Sequence, residues 1–179
     1  MFGARDRCER IVDAIHVLGL ETIRTLMLGV QVFELCPDRN FRAFLDRLWQ
    51  HSLEVAEEAR EYARKQDTKG KDAEQAFIAG LLHDLGKVVL AASSTKGYAQ
   101  IIQRFPESSE ESREAERAAF GATHAYAGAY LLKLWGIPER IVNAVAEHHS
   151  GDETGDILTA AVKAAHQKLI WDKAEKQHR

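Results

Sequence analysis

Apolar residues recur every three to four positions along most of the chain, which is the spacing of an α-helix with one buried face. The pattern is clearest over residues 38–66, where Phe41, Leu45, Leu48 and Ala59 follow this spacing and charged residues fill the opposite face. No segment shows the sustained period-two alternation that is typical of a half-buried strand. The pattern therefore predicts an all-α fold.

Residues that start or stop helices divide the rest of the chain. We predict Asp72 as the N-cap of the helix that follows a polar loop, with Gln75 completing a capping box. That helix is predicted to run to about residues 83–84, and Gly86 then permits a break before a short helix over 87–92. The remaining helices are predicted at 11–18, 22–35, 95–104, 110–120, 123–135, 138–149 and from 156 onward.

Composition and charge narrow the class of protein. The chain has 179 residues, 45% hydrophobic and 28% charged, which indicates one ordinary globular domain. The formal net charge of -3 gives no basic field, so no nucleic-acid partner is predicted. No uninterrupted apolar run reaches the roughly 18 residues of a membrane span. With Cys8 and Cys36 outside any CxxC spacing, we expect a cytoplasmic protein without a membrane partner.

The most apolar stretch, residues 77–90, contains the adjacent polar residues His83 and Asp84. Burying polar groups without partners is costly, so metal coordination or a tight hydrogen-bond network is needed to offset that cost. A purely structural Asp–His hydrogen bond between helices is the alternative. Lys87 follows three residues later and is either a solvated charge or a group that meets an anion.

Further histidines lie in other predicted helices and are candidate ligands: His51, His124, His148, His149 and His166. Imidazole and carboxylate together suit divalent iron, manganese or zinc, as one ion or a pair. Each histidine alone also has a structural interpretation, and such wide spacing is far less specific than a CxxC pair or an HExxH helix.

Five short motifs follow one another along the chain. Residues 11–24 carry the pattern AI..LG...LR with Ile23 in place of its last Leu, residues 48–53 read LWQHSL, and residues 80–87 read GLLHDLGK. Residues 116–138 combine Glu116, a Phe-Gly pair, His124 and a downstream WGIP, and residues 147–149 read EHH. In this combination the chain resembles the HDOD domain, the HD-related output domain of bacterial signalling proteins, within the HD superfamily.

The resemblance covers nearly the whole chain and implies an HD-domain-like helical bundle. It implies a single domain over 1–179, with leading helices at 1–37 and the HD core at 38–179. It also implies that the N-terminal HDOD lobe is truncated here. Apolar surface on the leading helices would then be uncovered, so we expect a signalling protein, a partner chain or a homodimer partner to cover it.

The resemblance also implies roles for individual residues. His51, His83 and Asp84 match the first metal-binding positions of catalytic HD proteins. The additional histidines of the two-metal site in the related HD-GYP phosphodiesterases are matched by His124, His148 and His149. Asp84 and Lys87 are the implied catalytic residues, the first bridging two metals and the second meeting a substrate phosphate.

Two departures from the family pattern argue against a catalytic function. No GYP motif follows His149, and the position of the closing Asp ligand of catalytic HD proteins holds His166, which we interpret as structural. HDOD proteins as a class typically lose catalytic residues. We therefore predict a bacterial signalling or regulatory module with a retained His/Asp metal site. The alternative is a metal-dependent phosphohydrolase or phosphodiesterase acting on a nucleotide-like substrate.

Overall fold

The computed structural model describes residues 39–66, 72–105, 109–151 and 155–177. Eight α-helices and no strand occur in these ranges, which confirms the predicted all-α fold. The predicted leading helices at 11–35 lie outside the described residues. The helices are α1 (Arg39–Gln66), α2 (Ala73–Leu82), α3 (Leu85–Ser93), α4 (Thr95–Arg104), α5 (Glu110–Phe120), α6 (His124–Leu134), α7 (Glu139–Glu147) and α8 (Ile157–Gln177).

The long helix α1 forms one side of the bundle and packs against α2 and α8. Its inward face carries small residues, including the fully buried Ala56 and Ala59, so that α2 can approach closely. A Cβ atom at Gly80 of α2 would lie 2.8 Å from the Cα of Ala56, well inside ordinary contact distance. On the other side α6 packs against α3 and α7, while α7 and α8 close the core.

Helix α2 ends at Leu82, which confirms the prediction that it runs to about His83 and Asp84. Helix α3 begins at Leu85 and includes Gly86, so the predicted break at Gly86 is wrong. Gly86 lies inside the first turn of α3, where the backbone of α6 crosses it. A Cβ atom at this position would lie 1.8 Å from the carbonyl oxygen of His124. The glycine is therefore required by the close approach of two helices, and this approach places Asp84 beside His124.

Three of the predicted helices begin at a side-chain N-cap. The side chains of Ser94, Ser109 and Thr123 each accept a hydrogen bond from the backbone N–H three residues later. The capping box predicted at Asp72 is wrong, because the Asp72 side chain makes no cap hydrogen bond. Its carboxylate instead accepts a hydrogen bond from Arg140 of α7 at 2.7 Å, which ties the start of α2 to another helix.

The segment Ala73–Ser93 is long and apolar enough to cross a membrane by length and composition alone. It is divided into α2 and α3 by the polar pair at 83–84, and 72% of its most apolar window is buried inside the bundle. The apolar character of this segment is accounted for by its place in the core.

Candidate metal centre

The candidate centre lies where five parts of the fold meet. It comprises His51 of α1, His83 and Asp84 at the α2–α3 junction, His124 at the start of α6, His148 and His149 after α7, and His166 of α8. All but His51 and His149 are buried, three of them completely. Helix packing therefore gathers seven side chains that are widely separated in sequence.

The carboxylate of Asp84 divides the histidines into two groups. Its Oδ1 lies 3.3 Å from Nε2 of His124 and 3.9 Å from Nε2 of His148. Its Oδ2 lies 3.2 Å from Nε2 of His83 and 3.9 Å from Nε2 of His51. Ligand atoms lie within 4.8 Å of one another in each of two sets: Asp84 with His124, His148 and His149, and His51 with His83 and His166. Two adjoining positions could thus each hold a metal ion, with Asp84 between them.

Backbone carbonyls orient two of the histidines for coordination. Nδ1 of His83 donates to the carbonyl of Gly80 at 2.7 Å, and Nδ1 of His148 donates to the carbonyl of Val145 at 2.6 Å. In a neutral ring this leaves the lone pair on Nε2, facing the cluster. Four buried atoms of the cluster have no hydrogen-bond partner among the described residues: Nε2 of His83, His148 and His166, and Oδ1 of Asp84. Buried polar atoms are rarely left so, and a bound cation would satisfy them.

A buried glutamate orients the third histidine. Glu116 of α5 accepts hydrogen bonds from the backbone N–H of His124 at 2.8 Å and from its Nδ1 at 2.7 Å. The hydroxyl of Tyr98 on α4 donates to the other carboxylate oxygen at 2.9 Å. A carboxylate that accepts from a histidine in this way fixes the tautomer and raises the basicity of the ligating nitrogen. Helices α4 and α5 thus support a ligand on α6.

The pKa values of these side chains favour the protonation states that a metal ligand requires. Burial opposes ionisation of Asp84, but the neighbouring His83, Lys87 and His124 outweigh it and hold its pKa well below the ordinary value. Burial, together with neighbouring histidines, lowers the pKa values of His148, His149 and His166. Anionic carboxylate and neutral imidazole are the ligand forms of these groups.

Two side chains mark the edge of the centre that solvent can reach. The side chains of His51 and Lys87 are 13% and 14% exposed, whereas Asp84 between them is fully buried. The Lys87 ammonium donates to Oδ2 of Asp84 at 2.7 Å. The guanidinium of Arg113 donates to Nδ1 of the half-buried His149 at 3.3 Å.

The structure brings together all six residues that the sequence predicted as ligands, and it places Lys87 beside them. It also adds His166, for which a structural role was predicted. Tyr98 and Arg113 are neighbours of the centre that were not predicted. Tyr98 carried no local signal, since it looks like any core aromatic residue on an amphipathic helix.

A family profile and several solved structures are similar to this chain. A sequence profile of the HDOD domain matches residues 1–151. A crystal structure of an HDOD domain protein from Geobacter sulfurreducens has a TM-score of 0.64 at 25% identity, covering 93% of this chain and 56% of that one. A candidate phosphohydrolase from Shewanella amazonensis has a TM-score of 0.69 at 25% identity, covering 91% of this chain and 60% of that one. The MmoQ response regulator of Methylococcus capsulatus has a TM-score of 0.60 at 26% identity, covering 93% of this chain and 68% of that one.

Curated sequences include much longer relatives. Ribonuclease Y of Pelobacter propionicus is 31% identical over 91% of this chain and 24% of its own length. A protein of Treponema pallidum is 25% identical over 83% of this chain and 28% of its own length. The chain thus spans about a quarter of the length of these relatives.

Proposed function

Because this chain belongs to the HDOD domain family, we propose that it is a bacterial signalling or regulatory module built around a retained two-metal His/Asp centre. One observation carries the proposal of a metal centre: the Asp84 carboxylate lies between two groups of three histidines, and ligand atoms in both groups lack hydrogen-bond partners among the described residues. The likeness to a response regulator supports a signalling role.

The ligands of one ion would be His51, His83, His166 and Oδ2 of Asp84, and iron, manganese or zinc would suit them. The other ion would take Oδ1 of Asp84 with His124, His148 and His149. Divalent ions held here would supply Lewis-acid polarisation and water activation to any phosphoryl ligand. In a regulatory module their main effect is to cross-link α1, α6, α8 and the α2–α3 junction, so metal loading would stabilise the bundle.

A metal-dependent phosphohydrolase or phosphodiesterase acting on a nucleotide-like substrate is the second candidate. Lys87 favours it, because its ammonium lies at the solvent-reached edge and is placed to meet an anion that approaches Asp84. The likeness to a candidate phosphohydrolase and to ribonuclease Y agrees with this function. We place it second because His166 replaces a carboxylate of the catalytic pattern.

Elemental analysis of protein purified without a metal-affinity tag tests the metal centre. We expect near-stoichiometric iron, manganese or zinc in the wild type, loss of at least the ion assigned to His83 in His83→Ala, and full retention in Glu114→Gln, whose side chain is exposed. A wild-type protein that binds no divalent metal after chelation and reloading would exclude the centre.

Hydrolysis of a generic phosphodiester by the metal-loaded protein separates the two functions. The regulatory proposal expects no turnover above that of free metal ions. Turnover by the wild type that disappears in Asp84→Ala would overturn the purely regulatory function and establish the second candidate. The same preparation should be compared with Glu114→Gln, so that a contaminating hydrolase is recognised.

We also propose that the module acts in the cytoplasm through protein contacts, with signalling proteins or a second copy of the chain as partner and without nucleic acid or membrane. Tyr126, Tyr130 and Leu134 on α6 support this, because their side chains are 64–67% exposed and large exposed apolar groups favour protein contacts. Light scattering in solution distinguishes a monomer from a homodimer.

A further inference from the structure

The histidine at position 166 has the surroundings of a ligand. Its ring centroid lies 5.0 Å from that of His83 and 5.3 Å from that of His51. Its Nδ1 lies 3.3 Å from Nε2 of His51, while its Nε2 has no hydrogen-bond partner among the described residues. A structural histidine with a 2% exposed side chain would normally satisfy both nitrogens within the protein.

The rest of α8 explains why position 166 is fixed. Helix α8 packs along α1, α2 and α7, and Val162 and Ala165 of α8 are buried in the core beside position 166. The packing of α8 therefore fixes the backbone at position 166 beside the cluster. The place of residue 166 in the centre is determined by packing, and its chemistry by the residue type.

The residue type changes the composition of the ligand set. With His166, the seven gathered side chains comprise six imidazoles and the single carboxylate of Asp84. Imidazole ligands suit zinc, iron, nickel and copper, whereas carboxylates suit magnesium, calcium and manganese. A carboxylate at 166 would give the His51–His83 half two anionic ligands instead of one.

We infer that His166 is the residue that sets metal preference, making the His51–His83–Asp84 half of the centre select zinc or ferrous iron against manganese. This inference rests on the proposed metal centre and goes beyond it, because it assigns the preference to one side chain. Neutral imidazole in place of carboxylate leaves Asp84 as the one anionic oxygen ligand of this half, and an imidazole-rich ligand set disfavours manganese.

The test is a competition between zinc and manganese for chelated, metal-free protein, read as the ratio of the two bound metals. The variants are His166→Asp, which restores a carboxylate, and Gln167→Asp, which adds the same charge at the exposed neighbouring position. We expect the bound zinc-to-manganese ratio to fall at least tenfold in His166→Asp and to stay at the wild-type value in Gln167→Asp. Metal-dependent shifts of the melting temperature should follow the same order.

An unchanged ratio in a folded, metal-binding His166→Asp protein would overturn the inference while leaving the metal centre intact. Absence of metal from the wild type would instead overturn the proposed centre. If His166→Asp does not fold, His166→Asn carries the test, because it removes the imidazole without adding charge. We expect it to lose about half of the bound zinc, and full retention would show that His166 is not a ligand.

Discussion

Replacement of Gly86 by alanine tests the packing that positions the centre. The new Cβ atom would lie 1.8 Å from the carbonyl oxygen of His124 and 2.6 Å from the backbone nitrogen of Gly128. Both neighbours are backbone atoms of α6, so no side chain can rotate away. Restoring ordinary contact near 3.4 Å requires α3 and α6 to separate by roughly 1.5 Å at this point.

The magnitude follows from two opposing effects. Alanine is favoured over glycine in a helix by up to about 1 kcal/mol, so the substitution would be stabilising without the clash. Overpacking of a close-packed core typically costs about 1–3 kcal/mol, and contact with rigid backbone belongs at or above the upper end of this range. We therefore expect the free energy of unfolding to fall by about 2 kcal/mol or more.

The same displacement should change metal binding unequally. His124 and Asp84 flank the crossing, and the 3.3 Å separation of their facing atoms would increase. Metal sites tolerate deviations of only about 0.2 Å in ligand distance. We expect the ion between Asp84 and His124 to be lost and the ion at His51 and His83 to be retained.

Urea denaturation of the metal-free protein measures the stability change, and elemental analysis after reloading measures the metal content. Gly151→Ala is the matched control, because a Cβ atom there meets nothing within 4 Å and its φ angle is not positive. It should stay within about 0.5 kcal/mol of the wild type. A Gly86→Ala protein as stable as the wild type, with both ions bound, would refute the close approach of α3 and α6.

Three further outcomes are expected. Glu116→Gln removes the charged partner of the first histidine of α6 and should weaken metal binding about 10- to 100-fold in a chelator competition, whereas the exposed Glu114→Gln should not. Chelated protein should lose urea resistance as the pH falls below about 6.5, because burial lowers the pKa values of His148, His149 and His166 in the folded state and the unfolded chain then binds more protons. Each histidine contributes up to about 1.4 kcal/mol of lost unfolding free energy per pH unit. Equal urea midpoints at pH 7.5 and 5.5 would contradict this. Arg140→Ala, which breaks exposed ion pairs with Asp72 and Asp156, should lower the unfolding free energy by less than about 1 kcal/mol, and a larger loss would show that these pairs hold the bundle together.

Hydrophobic periodicity predicted the helices of the described residues well, since most of them bury one face and several begin at residues that act locally. The caps at Ser94, Ser109 and Thr123 are of this kind, because a side chain bonds the backbone three residues away. Asp72 had the same local signal, but its carboxylate pairs with Arg140, which is distant in sequence. A cap prediction fails where a tertiary partner competes for the same oxygen atom.

The misplaced start of α3 has a similar cause. Glycine was interpreted as conformational freedom, whereas Gly86 lies within a regular helix and is needed for the absence of a side chain. Only the path of α6, which begins almost forty residues later, distinguishes these two uses of glycine. The actual break falls at His83 and Asp84, where a turn between helices aims both side chains at the same cluster.

Some residues of the candidate site could be predicted from local sequence, whereas one required the tertiary structure. Motifs identified six of its residues, since an adjacent His-Asp pair in an apolar stretch and paired histidines after a helix are locally conspicuous. His166 is not, because an isolated histidine in an alanine-rich helix has the same local pattern whether it is structural or a ligand. What distinguishes the two is the packing of α8 against α1, which sets Nδ1 of His166 3.3 Å from Nε2 of His51. His166 departs from the catalytic pattern, and substitution of this residue is therefore the most direct test of how this proposed centre differs from that of the catalytic HD proteins.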